Sequence, residues 1–462
     1  MSDPSVLVRQ PAVAGMFYDD DPAELHRFVT EALSEWEPSP PPPKAVIVPH
    51  AGYRYSGATA ASAFAALSLR GSRITRVVVL GPSHRVPLQG MAVSCADRFA
   101  TPLGDIPVDD GARAAVLACP WVSADEVPHT REHSLEVQFP FIQVALGDVR
   151  ILPIAVGRAS PDQVADALER VWGGDETAVV VSSDMSHYHS YEKANSLDDD
   201  TTAKLIGLDV EEIVPDRMCG AKAVAGLLAV ARRKAMTVRT LARCNSGDTP
   251  WGEKDRVVGY GAWGLYDADS APLDADEESQ AFGLAWSSIA AGLNGAKRPA
   301  PPEAPSVFAR RQSCFVTLHV GGALRGCIGN IEALTSLGEG LIRYGHSAAF
   351  GDPRFPPLNS AEYHRLSMDL SLLSPLERVF PTTEEELVEM LRPGIDGLVL
   401  SSGSRRGTFL PSVWDQLADP AEFVNGVKGK AGLARRAWPD DIQVHLYQTT
   451  SMGPRPAPPE EV

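Results

Sequence analysis

Three histidines close apolar, β-branched runs of the chain: His50 after Ala45 to Pro49, His84 after Arg76 to Ser83, and His187 after Ala178 to Ser186. A fourth run, Thr237 to Cys244, carries a thiol and leads into Asp248. Imidazole nitrogens, a thiolate and carboxylates are the donors of a transition-metal site, and neutral imidazoles at His50, His84 and His187 suit Fe(II), Zn(II) or Cu. Two histidines with one anionic ligand leave positions open for oxygen activation or substrate chelation at ferrous iron. Asp248 as that anion reads as an iron site. Cys244 as a thiolate reads as zinc or copper, with a pKa lowered by the metal.

Other polar residues sit close to these in sequence. Asp184, three residues before His187, either orients an imidazole by a hydrogen bond or caps the next helix. The stretch Val127 to Pro140 is dense in polar groups, and its Glu132-His133 pair precedes a helical pattern, as acid/base groups or as ties for the loop. Tyr53 follows His50 within Ala51-Gly52-Tyr53-Arg54-Tyr55-Ser56-Gly57 and is a candidate pocket residue. Far downstream, Arg325-Gly326-Cys327-Ile328-Gly329 offers Arg325 and Cys327 as candidate substrate contacts, Cys327 being either a nucleophile or a packed thiol.

The elements that must hold these groups follow from the pattern. Continuous Val/Ile runs bounded by Gly and Pro read as buried strands of a parallel sheet, whose ligands collect beyond the strands' carboxyl ends. Helical patterns at 24–36, 58–69, 161–172, 191–206 and 219–232 alternate with these strands, which predicts an α/β domain over residues 1–267 with a mostly parallel sheet flanked by helices. Residues 268–278 read as an acidic linker. Residues 279–452 mix helices with hairpins, including one turning at Gly321-Gly322, and read as an α+β domain; the Pro-rich tail 453–462 reads as disordered.

Composition bounds the function class. The chain has 462 residues, 44% hydrophobic and 22% charged, enough for two cores. A net charge of −17 argues against a broad nucleic-acid or anionic-membrane surface. Six scattered cysteines without a C-x-x-C pair fit reduced thiols and, with no apolar run long enough to span a bilayer and no leader pattern at Met1 to Pro11, a cytoplasmic protein is expected.

Val48-Pro49-His50-Ala51-Gly52-Tyr53, Gly81-Pro82-Ser83-His84, Glu132-His133-Ser134-Leu135-Glu136, Ser182 to His187 and Val258-Gly259-Tyr260 together resemble the MEMO family, similar in fold to the LigB-like class III extradiol dioxygenases. Leu324 to Gly329 with Gly351-Asp352-Pro353-Arg354-Phe355 resembles the AMMECR1 domain. Their order resembles the AmmeMemoRadiSam system, which implies a radical-SAM companion. The resemblance implies metal ligands at His50 and His84 and moves His187 to the place of an acid/base histidine. It also implies a cysteine as third ligand. Counting back from Tyr260 puts Thr249 or Pro250 there, so Asp248 is the expected substitute. The resulting expectation is a mononuclear site, iron foremost with copper or zinc as alternatives. Its chemistry would be oxygenase-like or redox, on a small substrate, aromatic ones included, with His187, His133 and Glu132 as catalytic groups. The rival expectation is a non-catalytic scaffold that binds a metal, metabolite or peptide.

Overall fold

The computed structural model describes residues 6–38, 41–268, 270–304 and 306–459. The chain divides into two compact units between residues 268 and 269.

In the first unit, strands Ala45–Val48, Thr177–Ser182, Arg76–Pro82 and Arg150–Val156 lie side by side and parallel. Their uniformly buried Val, Ile and Leu side chains face helices on both sides, which is why these runs do not alternate in polarity. One face packs on helices Pro161–Val171 and Ala221–Arg233, and the other on Pro22–Ser34, Tyr53–Ser68 and Phe139–Leu146. Antiparallel strands extend the sheet: Met91–Val93 at one side, Val257–Asp267 at the other, the latter also paired with Met236–Asn245 and with the short His187–His189 strand. Because the four central strands run the same way, the segments after Val48, Pro82 and Ser182 emerge at one rim.

The third histidine run is not one strand. It leaves the sheet after Ser182, since Ser183 N–H bonds Val48 and Met185 N–H bonds Gly259, and His187 resumes as a separate strand opposite Val258.

The second unit is built on an antiparallel sheet in the order Ala323–Gly329, Cys314–Val320, Leu366–Leu373, Thr449–Pro456, with helices Ala275–Leu293 and Leu337–Phe350 against its apolar face. The first two strands turn through Gly321 and Gly322 at φ 58° and 82°, backbone that favours glycine. Two expectations change here. Residues 275–278 of the expected linker form the first turn of a helix: Asp274 caps it and Asp276, Glu277 and Glu278 lie where the helix dipole favours negative charge. Residues 453–456 of the expected tail complete a strand on Leu366–Leu373, and residues 460–462 lie outside the described range.

Candidate metal centre

His50 stands two residues beyond its strand. Its backbone N–H donates to Asp184 Oδ1 at 2.7 Å, and its Nδ1 lies 2.8 Å from Ser182 Oγ. Ser182 donates its single hydroxyl proton to the Ser134 carbonyl at 2.6 Å and accepts from Gln138 Nε2 at 3.0 Å. With that proton committed, the His50–Ser182 bond requires the proton on Nδ1 of the imidazole. His50 Nε2 therefore carries a lone pair. Burial, then the neighbouring charges of His84 and His133, hold His50 neutral, far below its usual pKa.

His84 is oriented by a carboxylate. Glu132 accepts from the His84 backbone N–H at 2.6 Å, from His84 Nδ1 at 3.0 Å, and from the N–H groups of His133 and Ser134 at 3.0 and 2.9 Å. Burial raises the Glu132 pKa, but the hydrogen bond and charge of His84 and the backbone N–H groups outweigh it and bring it to about 2. Ionised at neutral pH, Glu132 only accepts, which fixes the His84 proton on Nδ1 and frees Nε2, the usual arrangement behind a metal-ligating histidine. Held by four N–H groups, Glu132 positions His84 and ties down its own loop, the second of the two roles expected for it.

The ring of His133 stacks on that of His84 at 4.9 Å and lies 5.4 Å from His50. One ligating atom from each of His50, His84 and His133 falls within a common 4.8 Å. Burial lowers His133 to a pKa of about 4, against the pull of Glu132. One thiol stands beside the three imidazoles: Cys219 Sγ lies 3.2 Å from His50 Nε2, outside the three-histidine cluster itself. Donors sharing one ion at bonds of about 2.0–2.3 Å sit roughly 3.3–3.6 Å apart in a tetrahedron. The three imidazoles therefore fit a bound transition metal, which His50, His84 and His133 would hold, with the Cys219 thiol next to His50. In the metal-free protein, burial and then the charge of Asp184 push the Cys219 thiol up to about 12.

Cys219 is absent from the expected ligands. Its signal is the pair Cys219-Gly220 ahead of helix Ala221–Arg233. A Cβ on Gly220 would stand 2.6 Å from the Ser182 carbonyl, so only glycine brings that helix start against the strand end that holds His50.

The other expected ligands are engaged elsewhere. Cys244 turns toward helix Tyr53–Ser68, its Sγ 3.0 Å from Thr59 Oγ1. Asp248 accepts from Tyr191 Oη at 2.6 Å and from the Asn245 N–H at 2.8 Å, closing the turn after its strand. Neither belongs to the ligating cluster among the described residues. Tyr53 is buried among Tyr18, Phe28 and Phe141, and its hydroxyl donates to the Val137 carbonyl at 2.6 Å, so it is core. Asp184 neither bonds a ring nor caps a helix; Ser190 precedes the next helix, and Asp184, raised to about 6 by burial, holds the His50 backbone. His187 is half-buried, outside the three-histidine cluster, and close enough for its charge to act on His50 and Asp184.

In the second unit, Arg325 binds Glu362 at 2.8 and 3.1 Å and the Pro356 carbonyl at 2.9 Å, while the Cys327 N–H donates to Asp352 at 2.9 Å. The LRGCIG strand and the Asp352 loop are thereby locked together.

A family model described as Memo-like protein matches residues 9–263, and one described as AMMECR1 matches residues 282–452. The chain belongs to the Memo-like family. Its first unit is the Memo-like domain, fused to an AMMECR1 domain. A MEMO1 family protein of Aquifex aeolicus is 36% identical over 265 residues, covering 55% of this chain and 97% of that protein. One of Sulfolobus acidocaldarius is 33% identical over 279 residues, covering 55% and 98%. Among solved structures, an uncharacterized protein of Pyrococcus horikoshii is similar at 30% identity and TM-score 0.35, covering 37% of this chain and 88% of that one. The Memo-like domain accounts for the whole three-histidine cluster and for the adjacent thiol, since His50, His84, His133 and Cys219 all fall within the matched residues.

Proposed function

We propose that the Memo-like domain is a mononuclear metal site, iron foremost, that carries out oxygenase-like or redox chemistry on a small organic substrate. The observation that carries this reading is the convergence of three imidazoles within 4.8 Å, two of them with Nε2 freed by fixed partners, beside a thiol. A bound ferrous ion would supply Lewis acidity and one-electron redox chemistry at that point. The chain's own contribution is to hold His50 as a neutral donor, to keep Glu132 ionised behind His84 so that Nδ1 of that ring is engaged and Nε2 faces the centre, and to offer His187 as the group able to move a proton. A radical-SAM protein as companion is part of the same reading, supported by the resemblance of the domain order.

The decisive measurement is elemental analysis of anaerobically purified protein beside His50→Ala/His84→Ala. About one transition-metal ion per wild-type chain and none in the variant is expected; equal content in both would end the proposal.

The third imidazole and the thiol beside His50 favour a second reading. Three imidazoles and a thiolate can fill a tetrahedral ion, as closed structural sites do, leaving no position for substrate. Oxygen consumption by the Fe(II)-loaded protein with a panel of catechols separates the two: turnover supports the enzyme, and its absence with full metal content supports a binding scaffold.

A further inference from the structure

Beside the centre the first unit has a cleft of about 1090 Å³ whose walls the metal site does not use. One wall is the N-terminal segment, pinned by the buried ion pair of Arg9 with Glu136. The inner wall is Phe17, whose ring lies 4.8 Å from that of His133. Leu7, Met16 and Val127 line the cleft and are 50%, 68% and 61% exposed, a concentration of apolar surface that a free side chain in water does not favour.

Two cations complete it. Arg85 follows His84 and Arg131 precedes Glu132; both are exposed and line the cleft, and their guanidinium groups have no hydrogen-bond or ion-pair partner among the described residues. In a chain of net charge −17, two unpaired guanidiniums over an apolar cleft are a local exception. Glu126 also lines the cleft. Its Oε2 accepts from Ser94 Oγ at 2.5 Å and the Cys95 N–H at 2.9 Å, while its Oε1 is buried without a partner.

We propose that this cleft binds a small organic anion with an apolar body: the anionic group lies on Arg85 and Arg131, and the body packs on Phe17, Met16 and Val127. The volume suits a molecule of several rings or an acyl chain. Two cations are too few for a nucleic acid, and the concave shape selects a small molecule over a protein face. That the ligand's inner end faces His133, as substrate of the centre, rests on the metal-site proposal; the cleft itself does not.

The test uses the full chain and two fluorescent probes of one skeleton. 8-Anilinonaphthalene-1-sulfonate has the apolar body, the N–H and the anion; N-phenyl-1-naphthylamine lacks only the anion. Saturable sulfonate binding is expected, weakened about tenfold or more by Arg85→Gln/Arg131→Gln through loss of charge-assisted hydrogen bonds, with neutral-probe binding unchanged as the internal control of folding. Val127→Glu should weaken both probes. Sulfonate binding indifferent to the arginine pair, or either probe indifferent to Val127→Glu, would overturn the proposal. Retained binding in His50→Ala/His84→Ala upholds the cleft whatever that variant's metal content shows, so the two readings fail separately.

Discussion

Ser182 and Glu132 touch no reacting group, yet each decides which nitrogen of a histidine carries a lone pair. Ser182→Ala removes the acceptor that fixes His50 and should lower metal affinity about 10- to 100-fold, the usual effect of losing such a partner; competition against a chelating dye measures it. An unchanged affinity would show that the tautomer is fixed otherwise. Cys219 makes a sharper prediction. Its thiol, pushed up to about 12, is protonated at neutral pH, so its coordination must release a proton and metal affinity must rise with pH. Calorimetry of Zn(II) binding in two buffers of different ionisation enthalpy should register one proton fewer in Cys219→Ala. Equal proton release in both proteins would remove Cys219 from the ligand set. These residues also show the limit of reading ligands along the chain. His50 and His84 are legible because each follows a strand of one parallel sheet. Cys219 lies 169 residues from His50 at a helix start, where its one local signal, the glycine that follows it, does not say which rim it faces.

At the scale of elements, the centre depends on how loops and helix starts are seated against the sheet. Gly220→Ala would drive a methyl into the Ser182 carbonyl and the Ser183 side chain, and should destabilise the unit by about 1–3 kcal/mol in urea unfolding while displacing Cys219. A neutral result would mean the helix start yields freely. The loop carrying Glu132 and His133 is tied to the N-terminal segment by Glu136, which pairs with Arg9 and accepts from the Ala12 and Val13 N–H groups and Tyr18 Oη. Arg9→Met strands that buried carboxylate without its cation, and a loss of about 3 kcal/mol is expected. The strands and most helices of both units are legible from Val/Ile runs and helical spacing, since burial on a sheet dictates those residues directly. The misjudged stretches are those where polarity is ambiguous: acids at a helix start resemble a linker, and Gly and Pro in an edge strand resemble a loose tail.

Across the whole molecule, the charges that matter to folding are the few taken out of water. Lys44 is buried with its ammonium on the Gly174 and Thr177 carbonyls at 2.5 and 2.6 Å, and burial lowers its pKa from 10.5 to about 8. Between pH 8 and 10.5 the unfolded chain binds the proton that the folded one has released, so this group destabilises the fold fully below pH 8 and progressively less above it. Stability from this group therefore rises with pH over that window. Lys44→Met should abolish the rise, read as the difference between the two proteins' unfolding free energies at pH 7.5 and 9.5. A constant difference would mean that Lys44 titrates normally. No helix among the described residues is long and apolar enough to cross a membrane.

The amino-acid order alone specifies a parallel sheet with two histidines at one rim and a second domain of hairpins, because burying a sheet on both faces forces continuous apolar runs whose ends are visible in the chain. The tertiary structure alone decides which third imidazole joins them and which thiol stands beside them, because His133 and Cys219 arrive from a loop and a helix start. Their placement follows from how closely a glycine lets one backbone approach another, and from where Glu132 and Glu136 find their donors.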